Sequence, residues 1–99
     1  MVFEVVLSFQ TEKDLAEVFA HIAKDQPIPA WQFVEALEAK IQSLSTMPKR
    51  CPLAGENLET SREVRCLLHG RYRILFTVDE KRVSVLRAVH GARQIDDPL

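Results

Sequence analysis

Two stretches of alternating side chains in the second half of the chain limit what it can fold into. In Arg71-Tyr72-Arg73-Ile74-Leu75-Phe76-Thr77-Val78, the residues Tyr72, Ile74, Phe76 and Val78 alternate with Arg71, Arg73 and Thr77. This period of two is that of a strand with one buried face. Val64-Arg65-Cys66-Leu67-Leu68-His69 precedes it across Gly70, and Val83-Ser84-Val85-Leu86-Arg87-Ala88-Val89-His90-Gly91-Ala92-Arg93 follows a charged turn. Short connections of this kind join antiparallel neighbours, so three consecutive antiparallel strands are predicted. They carry more arginine than a solvated sheet requires, and arginine is a ready receptor for phosphate or carboxylate.

The first half has a different period. Met1 to Leu7 is apolar and β-branched enough for a strand, and Ser8 and Thr11 both qualify as helix N-caps, with Asp14 three residues beyond Thr11. Leu15, Val18, Phe19 and Ile22 then recur at the helical spacing, with Lys13, Glu17, His21 and Lys24 opposite. Gln26-Pro27-Ile28-Pro29 ends that helix, because proline cannot continue the hydrogen-bond ladder. A second apolar stripe follows through Ala30, Phe33, Val34, Leu37, Ile41 and Leu44. The spacing predicts helices over roughly residues 9 to 24 and 28 to 45. Met47 to Ser61, with Pro48, Pro52, Gly55 and Asn57, has no sustained period and reads as a long loop. The tail from Gln94 reads as frayed.

The order strand, helix, helix, strand, strand, strand defines an α+β fold. A two-helix hairpin packs on one face of a small, mainly antiparallel sheet of about four strands, with the first strand near an edge. The other face is expected to stay open to a partner. At 99 residues the chain makes one domain, 1–99, with a single two-layer core. A hydrophobic share of 46% excludes a disordered chain, and no apolar run approaches the roughly 20 residues of a membrane span. The N-terminal segment has no basic leader, so the cytoplasm is the expected location.

Charge bears directly on the partner. The formal net charge of −1 weighs against dominant nucleic-acid binding. The halves differ, however: from Arg62 onward there are seven arginines and one lysine against five acids. One end of the molecule is therefore expected to be locally basic. Cys51 and Cys66 read as reduced thiols, with Cys66 buried in a strand; together with His69 and His90 they match no standard zinc spacing, and no cofactor is expected.

The run Tyr72-Arg73-Ile74-Leu75-Phe76-x-Val78, then Val83-x-Val85-Leu86-Arg87-x-Val89-His90-Gly91-Ala92-Arg93, resembles the C-terminal half of the RelE/ParE superfamily of toxins from type II toxin-antitoxin systems. Ser8, Asp14-Leu15, Ile41-x-x-Leu44-x-x-x-Pro48 and Gly55 extend the likeness over nearly the whole chain. It implies one of two activities on one fold: ribosome-dependent cleavage of messenger RNA, or poisoning of DNA gyrase. For the nuclease it implies Arg73 as the phosphate-holding residue and His90 as the proton carrier, with Lys49, Arg50 and Glu56 as further charges. This sequence departs from the nuclease pattern. Its one tyrosine, Tyr72, is not near the chain end, and the strong basic excess of a ribosome-bound protein is missing. Both departures favour the ParE-like branch, associated with plasmid stabilisation and growth inhibition.

The resemblance also implies a cognate acidic antitoxin, in a heterotetramer or with a toxin homodimer. Its expected receptors are Arg65, Arg73, Arg87 and Arg93 on the sheet and Trp31 at the edge of the second helix's stripe. A third reading is an inert member that only binds the antitoxin and helps it to autoregulate.

Overall fold

The computed structural model describes residues 2–55 and 63–91. Strand β1 (Glu4–Leu7) leads into helix α1 (Phe9–Ala23), and helix α2 (Pro27–Gln42) follows the proline break. Two short 3-10 turns, Ser43–Ser45 and Pro48–Arg50, begin the long connection, and strands β2 (Arg65–His69), β3 (Tyr72–Val78) and β4 (Arg82–His90) complete the fold. Spatially the sheet runs β1-β4-β3-β2. β2, β3 and β4 form the antiparallel meander expected from their alternation, whereas β1 pairs with β4 in parallel at one edge.

Local chemistry explains the boundaries. Ser8 caps α1 through its Oγ, which accepts the Thr11 N–H at 3.0 Å. Proline occupies the first turn of α2, where its missing N–H costs nothing. Gly70, at φ +59°, makes the tight turn between His69 and Tyr72; this left-handed conformation strains any residue with a Cβ. The β4 ladder carries an irregularity at Leu75/Phe76: Leu75 faces Arg87 while Phe76 faces Val85, leaving Leu86 as an extra residue.

The main core lies between the hairpin and the sheet. Leu37, Ile41, Leu44, Ile74, Phe76, Val83 and Val85 are essentially fully buried there, and Phe3, Val5, Leu7 and Phe33 pack against them. The second face of the sheet, expected to be open, is not. Val64, Cys66, Leu75 and Val89 are buried on it with Ala54, and Leu86 packs against them. The connection supplies this cover in part by pairing with the β2 edge, where the Ala54 N–H bonds the Val64 carbonyl and the Cys66 N–H bonds that of Pro52. The segment read as an aperiodic loop thus holds a strand-like bridge, Leu53 to Arg65.

Candidate functional site

The site is built around α1, whose first turns lie along β4 where β1 stops. At that point the β4 edge loses its strand partner and its polar backbone groups need another. Helix α1 supplies it. The Ser8 N–H and the Thr11 Oγ1 both donate to the Val85 carbonyl, at 2.9 and 3.0 Å, and the Ser8 Oγ donates to that of Leu86 at 3.0 Å. One turn later the Asp14 Oδ2 accepts the Ala88 N–H at 2.9 Å.

Asp14 is only 4% exposed and also takes a fork from Arg87, Nε to Oδ2 at 2.9 Å and Nη2 to Oδ1 at 3.2 Å. Gln10 donates to Oδ1 from the solvent side at 3.1 Å. Burial pushes the carboxyl up; hydrogen bonds from Arg87, the Ala88 N–H and Gln10, with the Arg87 charge, more than reverse this, so it sits below its ordinary 3.8. Asp14 is therefore a buried, ionised clasp between helix and sheet. In the sequence Asp14 marks the helix start and is part of the likeness through Asp14-Leu15, with nothing to show its partner on β4.

The expected basic face is rearranged by this packing. Arg87 is committed to Asp14 and its side chain is 18% exposed. Arg65 pairs with Phe76, which puts it on the margin of the helix-covered face. Its guanidinium donates to the Cys51 carbonyl at 2.7 Å and lies 3.6 Å from Glu63. Arg73 pairs with Leu68 and Val89, so it belongs to the opposite face and borders a groove with Arg50, Leu53, Gly55 and Leu68. Arg50 ties the connection together, its Nη1 reaching the Thr46 and Met47 carbonyls at 2.7 and 3.0 Å. Lys49 is exposed. Glu56 and Arg93 lie outside the described residues, as does the tail from Gln94. Burial raises the Cys51 thiol despite the charges of Arg50, Arg65 and Lys40, as befits a core thiol rather than a nucleophile.

Arg73 and His90, paired in the nuclease reading, do not come together. The register sets His90 opposite Tyr72 and Arg73 opposite Val89, so neighbouring positions point to opposite faces. His90 instead ends a row of rings that the sequence reading did not contain. His69 and Phe33 have centroids 5.2 Å apart, Phe33 and Tyr72 5.7 Å, and Tyr72 and His90 5.6 Å with the last two rings edge-on. The register of His69, Tyr72 and His90 across three strands was the signal that would have found it.

On the outer side of the hairpin, Leu15, Ala16 and Phe19 of α1 face Trp31 and Val34 of α2 across an open groove of about 310 Å³. Phe19 and Trp31 meet edge-on at 6.5 Å, and Trp31 remains 64% exposed. Its polar lining residues are Glu35 and Glu38. Among the described residues, no helix is long and apolar enough to cross a membrane.

This fold, with its hairpin over a four-stranded mixed sheet, is that of toxins solved with their antitoxins. The chromosomal ParDE toxin-antitoxin system of P. aeruginosa superposes with a TM-score of 0.75 at 18% identity, over 90% of this chain and 96% of that one. The RelBE2 toxin-antitoxin complex of Mycobacterium tuberculosis superposes with a TM-score of 0.64 at 22% identity, over 91% of this chain and 99% of that one. No curated protein matches the chain. The family described as ParE toxin of the type II toxin-antitoxin system parDE matches residues 5–95, from β1 to beyond β4. The chain belongs to that family and has the RelE/ParE toxin fold.

Proposed function

We propose that this ParE-family toxin acts in the cytoplasm as a non-nuclease inhibitor of DNA gyrase, held inactive by a cognate antitoxin. The observation that supports this reading over RNA cleavage is the β3–β4 register. Acid-base cleavage at a phosphate needs the proton carrier within hydrogen-bond reach of the group that the cation holds. Arg73 and His90 face opposite sides of the sheet, and His90 packs on Tyr72. A poison has no such requirement, because the DNA-cleaving chemistry belongs to gyrase. Arg73 and Trp31 are then partner contacts, whereas Arg65 and Arg87 serve chiefly to hold the connection and the α1 seam.

One observation favours the endoribonuclease as the second reading: Arg50 and Arg73 border a common groove, as a phosphate-binding pair would. Inducible expression separates the two. Cleaved gyrase–DNA complexes with intact messenger are expected, and His90→Gln is expected to remain toxic while Arg73→Ala weakens toxicity. Messenger cuts in the ribosomal A site, abolished by His90→Gln in a folded protein that still binds antitoxin, would move the assignment to the nuclease.

A further inference from the structure

The two edges of the sheet are finished differently. Beside β2 the connection makes the Leu53–Arg65 bridge and bonds the Val64 carbonyl and the Cys66 N–H. Beside β1 the fold supplies much less. The Glu4 N–H bonds the Lys81 carbonyl at 2.8 Å and the Ser8 N–H that of Val85 at 2.9 Å, so Glu4, Val6 and Ser8 aim their backbone groups at β4. The alternate residues Phe3, Val5 and Leu7 therefore aim theirs away from the sheet. The Phe3 N–H reaches the Ser45 carbonyl at 2.7 Å. The N–H and C=O groups of Val5 and Leu7 have no hydrogen-bond partner among the described residues. Such an edge is a template for another strand, and folded proteins ordinarily blunt it with proline, lysine or a cover. β1 contains neither residue, and its one charge, Glu4, is engaged by Arg82 at 3.1 Å.

The surroundings of this edge are apolar. Val2, Val6, Phe9 and Met47 are 74%, 40%, 77% and 75% exposed. Val2 precedes the strand, Phe9 follows it, and Met47 lies two residues beyond the Ser45 that holds Phe3. Met47 also has a left-handed backbone, at φ +48°, which strains a residue with a Cβ. The side chain presented by that strain stands in solvent.

A second copy of the chain fits this edge by two-fold antiparallel pairing, which needs a self-complementary strand. With the axis at Val6, Val5 of each copy stands opposite Leu7 of the other, and each such pair exchanges both of its N–H···O bonds. Every open group is then taken, and Phe3, already bonded, is not needed. Val6 meets its own counterpart at the close, non-hydrogen-bonded spacing of about 4.5 Å between Cα atoms, apolar against apolar. Glu4 comes opposite the partner's Ser8, so the two glutamates do not meet. Phe9 emerges at the partner's Phe3, on the side where Met47 is exposed. A formal net charge of −1 gives the two copies little reason to repel.

We propose that β1 is a homodimer interface, joining the four-stranded sheets of two copies into one continuous sheet through Val5, Val6 and Leu7. The inference stands on this edge alone and is independent of the toxin's target. A four-residue strand with two apolar flanks falls short of the roughly 800 Å² per partner of a standard interface, so the dimer is reversible and concentration-dependent.

Sedimentation of the whole protein from micromolar to millimolar concentration is expected to show a monomer passing to a dimer, with amide exchange at Val5 and Leu7 slowing in step. Val6→Lys, at an exposed position, sets two like charges across the axis and is expected to weaken the dimer at least about tenfold with helix content unchanged. The register is read by cross-linking. In Val6→Cys the two thiols lose two electrons and two protons to oxidised glutathione, which leaves as two reduced molecules, and an intermolecular disulfide forms at a spacing such bonds accept. Glu4→Cys, opposite Ser8, is expected to cross-link at least about tenfold more slowly. Cys51 and Cys66 are buried and stand aside. A monomer at every concentration overturns the inference, as does equal cross-linking of the two cysteine variants, even if Val6→Lys fails to fold. A monomer whose Val5 and Leu7 amides are protected only when the protein encoded beside its gene is added gives the edge to that partner and overturns the inference as well.

Discussion

The two sides of helix α1 each depart from the usual arrangement of a surface helix, and for different reasons. The side against the sheet buries Thr11 and Asp14 beside Leu15 and Val18, while the outer side leaves Phe9 in solvent and Phe19 lines the groove against Trp31. The inner side is polar because it replaces a strand: the β4 edge beyond Leu7 presents carbonyls and N–H groups that only polar side chains can satisfy. The outer side has no such demand from within the molecule. The two sides therefore differ in what accounts for them: the fold explains the buried Asp14, whereas Phe9 makes no part of the core and Trp31, edge-on to Phe19, remains 64% exposed.

The sharpest way to break this comparison is to remove the clasp. Asp14→Ala leaves the Arg87 charge and the Ala88 N–H without their buried acceptor, and losing one partner of a buried pair costs about 3–5 kcal/mol. We expect a loss of that size by urea unfolding, and a smaller one for Asp14→Asn, which keeps an acceptor oxygen. If Asp14→Ala unfolds like the native protein, the seam is not what joins helix to sheet.

Acid tests the same clasp without mutation. The folded Asp14 carboxyl lies below its ordinary 3.8, so its contribution is complete above that value and is lost as pH falls through the lower folded value. Thermal unfolding is expected to weaken below about pH 4 in the native protein, with that part of the slope missing in Asp14→Asn. An identical acid slope in both proteins would place the titration elsewhere.

Next in size is the start of the seam. Ser8→Ala removes the cap on the Thr11 N–H and a bond to the Leu86 carbonyl, and is expected to cost about 1 kcal/mol, within the 0.5–2 kcal/mol range of such caps. A cost indistinguishable from zero in chemical denaturation would show that water replaces the hydroxyl there.

Much of this architecture was legible because it is local. The period of two through Ile74, Phe76 and Val78, and the helical stripes through Leu15 and Leu37, each declare a buried face from a few neighbouring residues. The clasp was not, because Asp14 and Arg87 meet only once α1 has crossed the end of β1, a consequence of topology rather than pattern. The separation of Arg73 from His90 was hidden for a related reason. It depends on a ladder register that passes the irregularity beside Leu86, and a strand shifted by one residue exchanges its faces. The charge count from Arg62 onward was correct but said nothing of direction: Arg65 and Arg73 leave the sheet on opposite sides, and Arg65 and Arg87 are taken up by internal acceptors.

The smallest expected effect is also the one of opposite sign. Phe9 is the first residue of α1, immediately after the Ser8 cap, and is 77% exposed. Replacing it with glutamate removes little packing and places a negative charge at the positive end of the helix, where such a charge contributes about 0.3–1 kcal/mol at low salt. Phe9→Glu is therefore expected to unfold at the same or slightly higher denaturant concentration than the native protein, five residues from a substitution that costs several times as much. A stability loss above about 1 kcal/mol would mean that Phe9 belongs to the core after all, and that the outer side of α1 is explained by the fold.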